Sequence, residues 1–178
     1  SFVEQEDVLD LNERLMQYVI RETTGETLQI PFQRIDYQRA MDDYGTDKPD
    51  FRNPLVLTDF TEAFKHTNFA GFAKTIENNG VIKGLVLRGA QFSRKQIAGL
   101  EEIAKRSGAS GLGWVRAENE GFRGSLAKAL SPSEAEAITH DLPDGGLVLL
   151  VAGSWKVACN AMGAVRQSVA ELLDLVDQ

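Results

Sequence analysis

The chain has 178 residues, 43% of them hydrophobic and 25% charged, with a formal net charge of −7. That length suits one domain, or one domain with appendages, able to bury its own core, and the acidic balance argues against a general nucleic-acid binder. The lone cysteine, Cys159, excludes an internal disulfide framework and fits a reducing cytoplasm, and the longest apolar run, 146–153, is too short to cross a bilayer.

Charge is unevenly placed. Residues 81–130 hold nine of the 19 basic groups but only four of the 26 acidic ones. Such a basic middle in an acidic chain either faces a phosphate backbone or is a solvated surface with chance clustering.

In chain order, residues 4–24 predict an amphipathic helix, with Val8, Leu11, Leu15 and Tyr18/Val19 on one face and Gly25 as its stop. Asp36 offers an N-cap for a helix running to Tyr44. The stretch Tyr44-Gly45-Thr46-Asp47-Lys48-Pro49-Asp50-Phe51-Arg52 then reads as a boundary turn. Gly45 suits a left-handed helix stop, and Pro49 pushes Lys48 towards an extended conformation. Residues 54–58 read as a strand, followed by a brief helix capped by Thr58 or Asp59 and carrying Phe60, Ala63 and Phe64. Residues 69–76 fit either strand or helix. A turn at 78–80 precedes a strand at 81–87.

Ser93 and Gln96 form a capping-box pattern that opens a helix over 93–107, and a strand follows at 112–117 with Trp114 half-buried. A second capping box, Ser131 to Glu134 with Pro132 at the first helical position, opens another helix. A turn at 143–146 leads to a strand at 147–152, apolar enough to be central, and a helix capped by Ser154 runs to about Val176. Its stripe is Ala158, Ala161/Met162, Val165, Val169, Leu172 and Val176.

Few residues point to self-contained catalysis. Cys159 sits beside the apolar stripe and reads as a packed residue; His66 and His140 have no neighbouring ligand set. The glycines at 111, 113, 121 and 124 lack the spacing of a phosphate loop and read as strand-end turns. Asp47 and Asp50 are a possible carboxylate pair, but local capping and salt bridging suit an exposed turn better.

Several stretches together resemble the bacterial-type aspartyl-tRNA synthetases of class II. Pro31-Phe32-Gln33-Arg34-Ile35-Asp36-Tyr37, Ala40-Met41 and the turn 44–52 are similar to the family pattern PFPR-(M/I)-TY-x-x-AM-x-x-YGSDKPDLR, with Thr46 for Ser and Phe51 for Leu. Residues 104–115 resemble AK-x-x-GAKGLAW-(I/L), and residues 124–128 resemble GPIAK with Ser125 for Pro. Met162-Gly163-Ala164-Val165-Arg166 resembles LGALR, while Gly153 stands where the family often has Asp.

The resemblance implies an α/β (α+β) fold: a two-layer sheet-and-helix insertion domain of GAD type, flanked by two long helices belonging to the catalytic core. It implies a division into 1–53, a helical segment leaving that core; 54–153, the insertion; and 154–178, the returning helix. The parent would be a cytoplasmic aspartate–tRNA ligase, usually a homodimer. It would activate L-aspartate with ATP and Mg to aspartyl-adenylate and pass it to tRNA. No catalytic, cofactor-binding or metal-binding residue of the family falls on this chain, so the piece alone is expected to be inactive and to lie near the tRNA acceptor arm. The candidates for facing tRNA are Arg94, Lys95, Lys105, Arg106, Arg116, Arg123 and Lys128. The alternative is a free-standing, non-catalytic tRNA- or protein-binding module. If the chain is an excised piece, the stripes Val8/Leu11/Leu15 and Val165/Val169/Leu172 are expected to lie exposed and drive self-association.

Overall fold

The computed structural model describes residues 2–89, 91–118, 121–139, 142–143 and 145–176. They divide into two compact units, residues 1–36 and 37–178. In the first, α1 (Gln5–Thr24) begins with a capping box between Glu4 and Asp7 and stops at Gly25, which is left-handed at φ 78°. The following segment is tied back to this helix. Gln17 donates to the carbonyl of Leu28 at 2.7 Å, and Arg34 pairs with Glu6 at 2.7 Å and reaches Glu13 at 3.6 Å.

The second unit is built on a five-stranded antiparallel sheet in the order β1-β2-β5-β3-β4. The strands are β1 (Thr58–Asp59), β2 (Val81–Leu87), β3 (Gly113–Glu118), β4 (Gly121–Gly124) and β5 (Leu147–Gly153). The most apolar run takes the centre: β5 pairs with β2 over seven residues and with β3 over four. Alternation along β5 sends Leu147, Leu149 and Val151 into one core cluster and Val148 and Leu150 into the other. The first cluster is closed by α4 (Arg94–Arg106), through Ile97, Leu100 and Ala104, and by α6 (Trp155–Leu172), through Ala158, Ala161, Met162, Val165 and Val169. The second is closed by Phe60 and Phe64, by Phe72 of α3 (Ala70–Glu77) and by Ile138 of α5 (Pro132–Thr139). The α/β class expected from the sequence stands, with helices on both faces of the sheet. Among the described residues no helix is long and apolar enough to cross a membrane.

Both capping boxes form. Ser93 accepts from the amide of Gln96 at 3.3 Å while Gln96 accepts from that of Ser93 at 2.9 Å, and Ser131 and Glu134 exchange the same pair. The ambiguous stretch at 69–76 is a helix, α3. Four expectations need correction. The brief helix expected after Thr58 or Asp59 is a series of turns over 61–66, with Phe60 and Phe64 still facing the core. The strand predicted at 54–58 survives only as Thr58–Asp59, because its backbone groups are engaged elsewhere. Leu55 donates to the Asn53 side chain, Leu57 donates to Asp43, and the Leu55 carbonyl accepts from Arg166. Residues 121–124 form a strand, paired through Arg116 with Arg123 and Ala117 with Phe122, where the glycine spacing predicts strand-end turns. The last helix ends at Leu172, short of Val176. Asp174 turns left-handed at φ 52°, and the amides of Asp174 and Leu175 bond back to Glu171 and Ala170, a Schellman closure with Asp in the usual glycine position.

The two helical stripes also part company. Val165 and Val169 are fully buried against the sheet, so α6 offers no free apolar face there, whereas Val8, Leu11 and Leu15 on α1 are 48, 59 and 53% exposed. Each such side chain gains about 1.5–3 kcal/mol on burial. Leu172, the last member of the α6 stripe, is 46% exposed but stands apart from the buried pair, so self-association at high concentration is expected chiefly through α1. Sedimentation velocity should show it, and Leu11→Glu with Leu15→Glu should return the chain to a monomer. Association undiminished in that double variant would place the contact elsewhere.

Candidate functional site

The boundary turn proves to be hung from α6. α2 (Tyr37–Tyr44) ends at Gly45, left-handed at φ 71°, whose amide closes on Met41 at 2.9 Å. The chain can pass α6 here only because both partners lack side chains. A Cβ on Gly45 would stand 2.5 Å from the Cα of Gly163, and a Cβ on Gly163 would stand 2.7 Å from the Gly45 carbonyl carbon. One turn of helix further on, Arg166 is 2% exposed and donates to three carbonyls of the turn: Leu55 at 2.6 Å, Asn53 at 2.8 Å and Asp50 at 3.3 Å. Its guanidinium also lies 5.0 Å from the centroid of the Tyr44 ring. Of the turn's own charges, Asp50 pairs with Arg52 at 2.8 Å and Asp47 with Lys48 at 3.7 Å, so the two carboxylates are locally bridged. The hydrogen bonds from Arg52 hold the Asp50 carboxyl below its ordinary range.

A second buried anchor joins α2 to the sheet. Lys83 of β2, only 3% exposed, lies 2.7 Å from Asp42 of α2 and 3.1 Å from Asp59 of β1, and the Trp155 indole donates to Asp42 at 2.8 Å. Burial alone would raise the Asp42 carboxyl, but hydrogen bonds from Lys83, Trp155 and Gln38 together outweigh it and hold it low. For Asp59 burial is likewise overcome, by Thr61 and Lys83. Burial would lower the Lys83 ammonium, and its two carboxylates outweigh that and raise it. The depressed carboxyls contribute stability that is present above the unfolded value of about 3.9 and lost as the pH falls through their folded values. The raised lysine contributes stability that is present below about 10.4 and lost as the pH rises through its folded value. Lys83→Met is expected to cost about 3 kcal/mol near neutrality. Urea midpoints measured against pH should show that gap closing as the pH falls below about 3.9 and through the depressed folded values; a gap constant from neutral to acid pH would contradict the ion-pair origin.

Cys159 is fully buried in α6, and burial pushes its thiol up to about 11, which suits a packed residue and not a nucleophile at neutral pH. His66 is exposed, and His140 lies outside the described residues. Among the described residues no group of three or more His, Cys, Asp or Glu side chains is placed to hold a metal ion.

The seven basic candidates are sorted by their surroundings. Arg94 and Lys95 are exposed in the first turn of α4, where the positive end of the helix disfavours cations. Arg116 donates to the carbonyl of Phe92, two residues before Arg94, while its buried Nε has no partner among the described residues. Arg123 is its register partner on β4 and lies 3.7 Å from Glu118. The fold thus brings Arg94, Lys95, Arg116 and Arg123 towards one end of α4. Lys105 and Arg106 lie at the other end, roughly 16 Å away at the helical rise, and Lys105 is engaged by Glu101 and Glu102 at 2.9 and 3.3 Å. Lys128 is exposed on the turn after β4.

Sequence reasoning did not single out Arg166, Lys83 or Asp42. Lys83 was the most accessible of these, because a lysine inside an otherwise apolar strand implies a buried partner.

Residues 72–162 match the GAD domain family. Over its whole length the chain is 41% identical to an aspartate–tRNA ligase of Bacillus licheniformis and 37% identical to an aspartate–tRNA(Asp/Asn) ligase of Bacillus subtilis, covering 31% of each. Over 98% of its length it is 43% identical to an aspartate–tRNA(Asp) ligase of Deinococcus radiodurans, covering 30% of that protein. The chain thus spans about a third of the length of the curated relatives it matches. The matched residues include the central strands, α4 and the first half of α6 up to the packed Met162, and on this ground the chain belongs to the GAD domain family.

Proposed function

We propose that this chain is part of an aspartate–tRNA ligase and serves there as a non-catalytic insertion domain near the tRNA acceptor arm. The observation that carries this reading is the likeness over essentially the whole chain to ligases from separate bacterial genera, spread across the boundary turn and α6 as well as the family-matched middle. The whole protein would activate L-aspartate with ATP and Mg and transfer it to tRNA, acting as a cytoplasmic homodimer. In this chain 1–53 would leave the catalytic core, 54–153 would be the insertion and 154–178 would return to the core. Arg166 and the Lys83 cluster would hold the exit rigid. No residue here is assigned to ATP, aspartate or metal. The exposed cations Arg94, Lys95, Arg106, Arg123 and Lys128 would meet the RNA backbone, with Lys105 and Arg116 shared between RNA and the protein contacts described above.

The test uses the full-length gene product. It should catalyse aspartate-dependent ATP–pyrophosphate exchange and charge tRNA, while the 178-residue chain alone should do neither. Arg94→Glu with Lys95→Glu should weaken tRNA binding about tenfold at low salt and flatten its salt dependence, leaving pyrophosphate exchange unchanged. Exchange by the chain alone would overturn the non-catalytic role. A natural product of 19.6 kDa, the mass of this chain, would establish the free-standing module instead.

A further inference from the structure

A cleft of about 680 Å³ opens at the end of the sheet where β2 and β3 begin and β5 finishes. Its apolar walls are Phe69, Phe72, Leu112, Leu126 and Trp155, and the volume falls in the range of small-molecule sites. Phe69 and Trp155 are half-buried, so each packs on the protein and keeps ring surface open. Trp155 is held in place by its hydrogen bond to Asp42, which lowers the cost of ordering the indole when something stacks on it.

The polar lining is selective in character. Lys74 has no acidic partner among the described residues, and the carboxylate of Glu101 is turned to Lys105 at 2.9 Å, so Lys74 is the lining cation left to meet an anion. The side chains of Asn79 and Ser110 make no hydrogen bond among the described residues. Ser125 accepts from the amide of Trp114 and retains its own hydroxyl proton. A planar ring with a hydrogen-bonding edge and an attached anion matches the chemistry of these groups. An extended peptide does not, because the cleft lies at strand ends, and β2, β5 and β3 already pair with one another, leaving no free edge for strand addition.

We propose that this cleft binds a nucleotide, with its base against Phe69 and Trp155, its edge met by Asn79, Ser110 and Ser125, and its phosphate near Lys74. Aromatic stacking of unpaired bases beside a cation is the usual physics of single-stranded RNA recognition. The same chemistry is offered by a free nucleotide. Assigning the occupant to an unpaired nucleotide of tRNA rests on the ligase reading above; the nucleotide chemistry does not.

Trp114 and Trp155 are the two tryptophans of the chain, so Trp114→Phe leaves Trp155 as the single indole reporter. Gly111 provides a plug. Its φ is ordinary, and a Cβ there would meet only the Glu101 carboxylate, at 3.6 Å, so Gly111→Leu should fold and occupy the cleft. Lys74→Glu, at an exposed position, is the second variant. Titration with cytidine and adenosine monophosphates and with a single-stranded RNA tetranucleotide should quench Trp155 saturably at up to roughly millimolar ligand, and each variant should weaken binding at least about tenfold. Tetranucleotide binding about tenfold tighter than the mononucleotides assigns the occupant to RNA, and equal binding assigns it to free nucleotide. Absence of saturable quenching by every nucleotide, or quenching undiminished in both variants, overturns the site. Aspartylation by the full-length protein is scored separately, so persistent charging with an empty cleft removes this inference and leaves the ligase reading standing.

Discussion

Replacing Arg166 with methionine is expected to cost about 3 kcal/mol, because methionine fills much of the volume but leaves the buried carbonyl of Asn53 and the half-buried carbonyls of Leu55 and Asp50 without their donor. Each orphaned buried group costs about 1–3 kcal/mol, and the longest of the three contacts, at 3.3 Å, contributes least. In a domain of this size that corresponds to a fall of roughly 10 °C in the thermal midpoint. Arg166→Lys should recover less than half of the loss, since an ammonium on a flexible stem cannot present the forked donors that meet carbonyls from three residues. Calorimetry on the three proteins checks this. A loss below about 1 kcal/mol for the methionine variant would mean that solvent or another side chain satisfies the turn.

The second large effect is at the helix crossing. On helix propensity alone, Gly163→Ala within α6 should stabilise by up to about 1 kcal/mol. The new methyl, however, would stand 2.7 Å from the Gly45 carbonyl carbon and 3.0 Å from its Cα, and backbone cannot yield as a flexible side chain does. Overpacking of that kind costs about 1–3 kcal/mol or more, so steric cost wins and net destabilisation of about 2 kcal/mol is expected. Gly99 is the internal control. It lies in α4 with nothing within 4 Å of an added Cβ, so Gly99→Ala should stabilise by about 0.5–1 kcal/mol. Denaturant midpoints of the pair should move in opposite directions; a stabilised Gly163→Ala variant would show that α2 and α6 have room to separate.

These two effects explain why the boundary at 44–52 was legible as a boundary and yet its fixings were not. Gly45 and Pro49 carry local conformational constraints, and the left-handed stop at Gly45 follows from them. The charges nearest in sequence, Asp47 with Lys48 and Asp50 with Arg52, bridge one another. The fixing group comes from Arg166, more than a hundred residues away, which in the helical pattern looks like one polar residue beside an apolar stripe. The same limit applies to the stripes of α1 and α6. Their periodicity was equally clear, but only packing shows that Val165 and Val169 cover the sheet while Leu11 and Leu15 stay exposed.

The candidate site divides in the same way. Clustering of basic residues between 81 and 130 is a property of the linear chain, yet only the fold sends Arg94 and Lys105 to opposite ends of one helix and draws Arg116 against the backbone of Phe92. The cleft beside α3 has no linear signature at all, since its walls come from five separate stretches.

By itself the sequence determined the helices whose caps and apolar spacing are local, the central place of 147–152 and, through its motifs, the likeness to aspartyl-tRNA synthetases. These depend on neighbours within a few residues or on residue identity. Tertiary structure alone decided that 54–57 is not a strand, that 121–124 is one, that Lys83 is neutralised by Asp42 and Asp59, and that Arg166 holds the charged turn. In each of these the deciding hydrogen bond or ion pair joins groups brought together only by the fold, and the free energy of satisfying a buried polar group exceeds the few tenths of a kilocalorie that local preference supplies.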